Sequence, residues 1–279
     1  MVKSLSADIS ARLKSVTDSP EHEAQIILEQ VYGRGFRLKL LTGQLDREPT
    51  PDEREKIDGM VSRRISGEPL QYIIGEWEFY GLTFRVGEGV LIPRQDTETL
   101  VDTALKLVDC VEKPRILDLC SGTGCVAIAI KTARPDAEVS AIELYHEAYK
   151  ILEENIARHG GVAAVNADAM CHETAAQYRG LDLITANPPY LTAEDMQALQ
   201  REVTKEPPTA LFGGNDGLDF YRGLSRIWRE SLKDGGHIAF EIGFGQEEAV
   251  SDILKSDGYR DIGFERDLTG KIRVVYAAK

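Results

Sequence analysis

Residues 115–130 read RILDLCSGTGCVAIAI, and this stretch decides the fold. An apolar run at 115–119 is followed by small residues at 120–124 and then by a second apolar run. This order predicts a buried strand, a tight turn and a helix. Small residues at such a turn let a ligand approach the backbone, and ligands of open α/β sheets bind at the carboxyl ends of the strands.

The alternation of strand and helix continues to the end of the chain. Candidate strands lie at 115–119, 138–142, 162–166, 181–186, 236–242, 259–265 and 272–277. Candidate helices lie at 97–109, 123–133, 145–158, 219–232 and 246–256. Because helices separate most of the strands, we expect an α/β fold with a seven-stranded, mainly parallel sheet and helices on both faces. Only 267–270 separate the last two strands, so these should form an antiparallel hairpin.

The first 75 residues show a helical pattern instead. Apolar residues recur at helical spacing in three segments, 4–16, 20–32 and 51–65. Aromatic residues then surround Gly81, which predicts a β-hairpin. We therefore expect a small α-helical domain over 1–75, a β-hairpin linker over 76–95 and an α/β domain over 96–279.

Composition narrows the function classes. The net charge is −13, from 33 Lys+Arg and 46 Asp+Glu, and an acidic surface disfavours a nucleic-acid substrate. No apolar stretch approaches the roughly 18 residues of a membrane span, and residues 1–8 lack the apolar core of a secretory signal. We expect a soluble, cytoplasmic protein without membrane contact. The four cysteines form no Cys-x-x-Cys pair and no cluster with metal-ligand spacing, so we expect reduced thiols and no metal.

The next two strands favour a nucleoside site at the turn. Glu143 lies about twenty residues beyond it, where a carboxylate can accept hydrogen bonds from both ribose hydroxyls. Asp168 follows the third strand and can accept the adenine amino group. The glycines at 122 and 124 do not fit the Gly-x-Gly-x-x-Gly spacing, so an adenosine cofactor without pyrophosphate, such as S-adenosylmethionine, is favoured. The alternative for both acids is a helix N-cap.

The strand at 181–186 runs directly into Asn187-Pro188-Pro189-Tyr190. Proline has no N–H group, so it leaves the strand ladder and fixes the chain direction. The Asn187 side-chain oxygen and the Pro188 carbonyl are two hydrogen-bond acceptors beside the Tyr190 ring. This set suits a planar –NH2 group, whose two hydrogens it would engage. The alternative is an ordinary strand-to-loop turn.

These motifs resemble those of the HemK/PrmC family, S-adenosylmethionine-dependent methyltransferases that modify a glutamine side chain in peptide chain release factors. The resemblance covers essentially the whole chain. It is carried by 118–124 and 187–190, and by FYGLTF at 79–84, VLIPRQDTE at 90–98, EP at 206–207, GGNDGL at 213–218 and DLTGKIR at 267–273. It implies a Rossmann-like methyltransferase sheet and a helical N-terminal domain that contributes to release-factor recognition.

The resemblance also implies an activity and its residues. The activity is methylation of the side-chain amide nitrogen (N5) of the glutamine in a Gly-Gly-Gln motif. The implied cofactor contacts are Cys120, Ser121, Gly122, Thr123, Gly124, Glu143, Asp168 or Ala169, and Asn187. The implied substrate contacts are Asn187, Pro188, Pro189 and Tyr190, and of these Asn187, Pro188 and Tyr190 are expected to be catalytic. Cys120 departs from the usual glycine, and Glu143 from the frequent aspartate, although glutamate still reaches a ribose.

Three other functions remain alternatives. The same site would serve a glutamine of a ribosomal protein. The tetrapeptide also suits the exocyclic amine of a flipped adenine in DNA or RNA, although the chain lacks a basic recognition segment. A binding module without activity would hold the methyl donor but release no demethylated product. Arg94 has two interpretations as well: it steadies the ligands, or it pairs with a nearby acid such as Asp96.

Overall fold

The computed structural model describes residues 1–279. Five helices come first along the chain: α1 Val2–Leu13, α2 Pro20–Tyr32, α3 Phe36–Leu41, α4 Pro51–Ile65 and α5 Leu70–Ile74. Residues 1–76 and 200–205 form one compact unit, and residues 77–199 and 206–279 form the other. None of the helices is both long and apolar enough to cross a membrane.

The helical unit is built as its sequence pattern predicts. Leu5, Ile9 and Leu13 of α1 are buried against apolar residues of α2 and α4. Helix α4 begins with a reciprocal cap, because Thr50 Oγ1 accepts from the Glu53 amide and Glu53 accepts from the Thr50 amide; such caps satisfy amides that the first turn leaves open.

One buried ion pair ties this unit together. The Arg64 guanidinium donates to both carboxylate oxygens of Glu23, at 2.7 and 2.9 Å. It also lies 2.7 Å from the Glu202 carboxylate. Removing one partner of such a pair leaves an uncompensated buried charge, so these residues must stay together.

The second unit contains a two-stranded hairpin and a seven-stranded sheet. The strands are β1 Glu76–Phe79, β2 Leu82–Arg85, β3 Arg115–Leu119, β4 Glu138–Glu143, β5 Val162–Asn166, β6 Leu181–Ala186, β7 Leu232–Glu241, β8 Arg260–Arg266 and β9 Ile272–Ala278. The sheet order is β5-β4-β3-β6-β7-β9-β8. Strand β9 runs antiparallel between β7 and β8, and all other pairings are parallel, which confirms the predicted fold class.

Helices cover both faces of the sheet. They are α6 Glu98–Leu107, α7 Cys125–Ala133, α8 His146–His159, α9 His172–Ala175, α10 Asp219–Trp228 and α11 Glu247–Ser256. One core cluster combines α6, α7 and α8 with Phe79 and Phe84 of the hairpin. The other combines α9, α10 and α11 around the fully buried Trp228 and Tyr221.

Two neighbouring predicted boundaries are wrong. The helix expected over 219–232 ends at Trp228, and β7 begins at Leu232 rather than at residue 236. Leu232 pairs with Leu181 ahead of a shift in register, and Gly235 has φ +78°. Two adjacent glycines therefore form an irregularity inside the strand, where their sequence predicts a turn.

Strand register determines which loops become neighbours. Leu119 of β3 pairs with Ile142 of β4 and with Ala186 of β6, and Ala186 also pairs with Phe240 of β7. The residues after these strands therefore meet at one edge of the sheet. The chain continues from β3 to β4 on one side and reaches β6 on the other, so this edge is the topological switch point where ligands bind in such sheets.

Candidate active site

A cleft of about 980 Å³, its open mouth included, lies at this edge, within the size range of small-molecule sites. Its walls come from the loops that follow β3, β4, β5 and β6, from residues 89–97 and from residues 207–210. Most of the wall is apolar, with a few polar groups. Such a wall suits a nucleoside-sized ligand with localised polar groups.

The loop after β3 begins with Cys120, whose backbone is in a left-handed conformation. Cys120 has φ +55°, a left-handed conformation that favours glycine and costs other residues about 1–2 kcal/mol. Its side chain lines the cleft and packs against the apolar core, and burial raises the pKa of the thiol. The thiol is thus protonated near neutral pH and serves as a small packing group.

Gly124, unlike its neighbours in this loop, has a structural role at the start of α7. It caps α7 with φ +78°, and a Cβ atom there would lie 2.3 Å from Leu152 Cδ1. Close packing between α7 and α8 therefore requires glycine at this position. Gly124 is not among the lining residues, whereas Cys120, Ser121, Gly122 and Thr123 are.

The Glu143 carboxylate is fixed by the loop it faces. One oxygen accepts from the Gly122 amide and the other from the Tyr145 amide, both at 2.9 Å. Burial raises the pKa of Glu143, and hydrogen bonds from the backbone of Tyr145, Gly122 and Leu144 partly oppose the rise. The carboxylate oxygens can accept further hydrogen bonds from a ligand donor, since a carboxylate has about four lone-pair sites. The carboxylate therefore bridges two loops and is ready to accept further hydrogen bonds.

Asp168 and Ala169 lie at the next strand end, and both line the cleft. Asp168 Oδ1 accepts from the Met170 amide at 2.8 Å, which orders the turn after β5. The Ala169 carbonyl accepts from Trp228 Nε1 at 2.7 Å. The turn is thus held to α10 from behind while its side chains face the ligand space.

Asn187, which directly follows β6, also lines the cleft. Its Nδ2 donates to Thr97 Oγ1 at 3.3 Å, while its buried Oδ1 has no hydrogen-bond partner in the protein. An unsatisfied buried acceptor costs about 1–3 kcal/mol. Such an atom in a cleft marks a place where a ligand donor belongs.

The rest of the tetrapeptide is held by its surroundings. Pro188 and Pro189 are buried, and burial raises the pKa of the Tyr190 phenol, which stays neutral. The Tyr190 carbonyl accepts from Gln246 Nε2 at 3.0 Å. Pro189 lines the cleft, while Pro188 and Tyr190 are not among its lining residues.

The segment 213–217 packs directly on the tetrapeptide. A Cβ atom at Gly213 would lie 2.6 Å from the Pro189 carbonyl oxygen and 2.7 Å from Tyr190 Cα. Leu191 exchanges backbone hydrogen bonds with the segment just before it, donating to Leu211 at 2.8 Å and accepting from Gly213 at 2.9 Å. The glycines thus allow two backbones to touch.

Two buried acids, Asp118 and Glu241, have a carboxylate oxygen without a hydrogen-bond partner. Asp118 Oδ1 accepts from its register partner Thr185 at 2.7 Å, and Oδ2 has no partner; burial raises the pKa of Asp118 to about 7. Glu241 ends β7, is 2% exposed, and has an unpartnered Oε2. Burial raises the pKa of Glu241 to about 7.

Arg94 does not pair with Asp96. It donates to Glu206, whose other oxygen accepts from the Ile92 amide at 3.0 Å, while Asp96 pairs with Arg273 at 2.7 Å. Arg94 also lines the cleft.

The ion pairs of Arg94 and Asp96 join segments more than 100 residues apart, so sequence spacing gave no sign of them. The sequence analysis also did not identify Thr97, Glu241 and Gln246 as neighbours of the tetrapeptide.

Comparison with known proteins places the chain in a family. Residues 4–75 match the PrmC N-terminal domain, and residues 96–214 match the methyltransferase small domain. A protein of Clostridium botulinum named release factor glutamine methyltransferase is 38% identical over 95% of this chain and 94% of its own length. Proteins with the same name from Coxiella burnetii and Escherichia coli are each 34% identical, over 100% and 92% of this chain and 99% and 92% of theirs.

Solved structures agree on the fold. The hMettl16 catalytic domain, in complex with a MAT2A 3′UTR hairpin, is similar with a TM-score of 0.58 and 12% identity, over 78% of this chain and 81% of that chain. At this identity the similarity concerns the fold alone. The full-length relatives carry the assignment, and the chain belongs to the PrmC/HemK family of release factor glutamine methyltransferases.

Proposed function

We propose that this protein transfers a methyl group from S-adenosylmethionine to the side-chain amide nitrogen (N5) of the glutamine in the Gly-Gly-Gln motif of peptide chain release factors. The observation that carries the proposal is the buried, unpartnered Oδ1 of Asn187 on the wall of the cleft. A carboxamide supplies the N–H donor that this atom lacks.

The cleft fits the methyl donor. Glu143, the 120–123 loop and the turn at Asp168 and Ala169 all line the cleft. In the proposal, the Glu143 carboxylate accepts from the ribose hydroxyls and the turn at Asp168 and Ala169 contacts the adenine. Asp118 also lines the cleft, and its buried Oδ2 has no partner in the protein, so we assign it as the acceptor for an ammonium group of the donor. When bound, S-adenosylmethionine supplies an electrophilic methyl group. We assign no role to a metal ion.

Asn187 and Pro188 orient the substrate amide. The Asn187 oxygen accepts one amide hydrogen and the Pro188 carbonyl accepts the other. Proline geometry limits how far these acceptors can move, and Tyr190, whose carbonyl is held by Gln246, limits the space around the planar amide. The nitrogen then points in one direction only.

This fixed orientation is the main source of catalysis in the proposal. An amide nitrogen is a weak nucleophile because its lone pair is delocalised into the carbonyl. Well-oriented reactants gain about 7–11 kcal/mol over free encounter, which compensates for poor nucleophilicity. Positive charge grows on the nitrogen during attack, so the two acceptors bind the transition state more strongly than the ground state. As the N–C bond forms, the methyl–sulfur bond breaks and S-adenosylhomocysteine leaves, and the acidic N-methylated amide then loses one proton to water.

The choice of release factors as substrates is supported by the names of the full-length relatives. It is tested by incubating the enzyme with labelled methyl donor and four substrates: a release factor, the same factor with the Gly-Gly-Gln glutamine changed to alanine, a purified ribosomal-protein fraction and adenine-containing DNA. We expect label on the unmodified factor only. Equal label on both factors, or label only on another substrate, would refute the assignment.

A further inference from the structure

We propose that Glu241 is a positioning residue that fixes the orientation of the Asn187 amide, and thereby decides that Asn187 offers an acceptor, not a donor, to the substrate. This inference rests on the proposed function and adds a residue to its site. The first observation is the strand register. Phe240 of β7 pairs with Ala186 of β6, and the two strands are parallel. The next residues, Glu241 and Asn187, are therefore neighbours at the ends of these strands.

Glu241 lies behind the site and not in it. Thr97 and Asn187 line the cleft, whereas Glu241 does not, and only 2% of Glu241 is exposed. A substrate in the cleft therefore meets Asn187 and Thr97 but not the carboxylate. Glu241 can therefore act on the orientation of the substrate through those two side chains.

The donors and acceptors of Asn187, Thr97 and Glu241 fit together in one order. Asn187 Nδ2 donates to Thr97 Oγ1 at 3.3 Å, so the hydroxyl hydrogen of Thr97 must point elsewhere. Register places Glu241 next to Asn187, and the buried Glu241 Oε2 has no hydrogen-bond partner. Burial raises the pKa of the Glu241 carboxyl, and the Thr97 hydroxyl and the Asn187 amide lower it. An ionised carboxylate only accepts hydrogen bonds, so it draws the Asn187 –NH2 group and the Thr97 hydrogen toward itself. The Asn187 oxygen is then the atom left for a ligand.

Orientation matters because an asparagine amide has two ends of similar shape and opposite character. Rotated by 180°, Asn187 would turn its –NH2 group toward the substrate –NH2, and two donors would face each other. It would also turn its oxygen toward the carboxylate, where two acceptors repel. A protonated Glu241 can donate and tolerates both orientations, whereas the ionised form tolerates one.

The charge state of Glu241 depends on groups from several elements. Burial disfavours its ionised form, Asp96 disfavours it further, and Arg273 of β9 favours it. Its charge also acts on the phenol of Tyr190, the phenol of Tyr221 in α10 and the thiol of Cys125 in α7, all of which are neutral near pH 7. Activity should therefore rise with pH as Glu241 ionises.

The first test compares turnover of the wild type and Glu241→Gln between pH 6 and 9. We expect kcat of the glutamine variant at pH 8 to fall at least ten-fold, the KM for the methyl donor to change less than three-fold, and the acid limb of the wild-type pH profile to disappear. An unchanged kcat, or an acid limb that persists in the variant, would overturn the inference. If Glu241→Gln does not fold, Thr97→Val interrupts the same arrangement of donors and acceptors and must give the same loss of kcat with normal donor binding.

A second test exchanges the roles of the two residues. Asn187→Asp alone places two carboxylates side by side, whereas Asn187→Asp combined with Glu241→Gln restores a donor facing an acceptor. We expect the double variant to turn over at least ten-fold faster than Asn187→Asp. A double variant no better than that single variant contradicts a positioning role.

A third measurement does not depend on the substrate. The 15N-labelled side-chain –NH2 of Asn187, assigned by its loss in Asn187→Asp, should shift with pH as Glu241 titrates in the wild type and stay constant in Glu241→Gln. A signal that does not titrate in the wild type, or that titrates equally in the variant, rejects the inference. If the wild type methylates no release factor, the proposed function is rejected. The NMR titration would still test whether Glu241 orients the Asn187 amide, because it needs no substrate.

Discussion

Leu119 and Ala186 are register partners in neighbouring parallel strands. The loop that starts at Cys120 and the tetrapeptide that starts at Asn187 therefore leave the sheet side by side. One loop borders the predicted donor site and the other carries the predicted amide acceptors. The pairing of two apolar residues, neither of which lines the cleft, thus sets the relative position of the two loops.

The first prediction concerns Asn187. Asn187→Ala removes the unpartnered acceptor and should lower kcat by about 10²-fold or more, the loss typical of one oxyanion-hole group. Donor binding should survive at least in part, because the loops after β3, β4 and β5 are unchanged. Turnover with the release factor and calorimetric titration with the donor measure the two effects. Near-normal turnover in this variant would exclude the role assigned to Asn187.

Glu143 gives a complementary prediction. Glu143→Ala removes the carboxylate between the Gly122 and Tyr145 amides and the proposed ribose acceptor. Hydrogen bonds to charged groups contribute about 1.5–3 kcal/mol each, so the Kd for S-adenosylmethionine should rise by at least ten-fold. Calorimetry measures this directly, and Glu147→Ala, at an exposed site nearby, is the control. A Kd within two-fold of the wild type would contradict the assignment.

Gly213 tests whether the backbone of the tetrapeptide must stay in place. Gly213→Ala forces a methyl group against Pro189 and Tyr190, and neither backbone atom can move away easily. We expect kcat to fall at least ten-fold while the Kd for the donor changes little. Gly59→Ala, where a Cβ atom meets nothing within 4 Å, should leave kcat unchanged. Equal kcat for both variants would show that the contact between the two backbones is not needed.

Asp118 predicts a dependence of stability on pH. Its pKa of about 7 in the folded protein exceeds the value of about 3.9 for an unperturbed aspartate. The contribution of Asp118 to the free energy of unfolding is therefore fully present below pH 4 and is lost as the pH rises through 7. The neutral side chain of Asp118→Asn does not titrate. In the absence of the donor, the free energy of unfolding of this variant should therefore rise relative to that of the wild type as the pH increases from 5 to 8. One pKa unit corresponds to about 1.4 kcal/mol, and we expect a relative gain of at least that size.

Denaturant unfolding of both proteins at the two pH values checks this prediction. The remaining carboxyl groups are common to both proteins, so their titration cancels in the difference. A difference in unfolding free energy that is the same at pH 5 and pH 8 would mean that Asp118 is already ionised across this range.

Much of the fold follows from local sequence patterns. Six of the seven sheet strands begin within one residue of their predicted start and end within one residue of their predicted end, as at Arg115–Leu119 and Leu181–Ala186, because buried parallel strands are nearly continuous apolar runs. The helices Phe36–Leu41, Leu70–Ile74 and His172–Ala175 escaped prediction, since four to six residues are too few to show a helical period.

The site was less predictable than the fold. Motifs placed Glu143 and Asn187, because each directly follows or ends a recognisable strand. Glu241 could not be placed beside Asn187, since their proximity depends on the register of two strands more than 40 residues apart in sequence. Cys120 was the one position where a departure from glycine could have indicated a strained left-handed backbone.

The most direct measurement is a crystal structure of the enzyme with S-adenosylhomocysteine and a Gly-Gly-Gln peptide. We predict that the glutamine side-chain nitrogen lies within hydrogen-bond distance, about 3 Å, of both Asn187 Oδ1 and the Pro188 carbonyl oxygen. A glutamine amide bound elsewhere in the cleft, or one whose nitrogen contacts neither atom, would contradict the account.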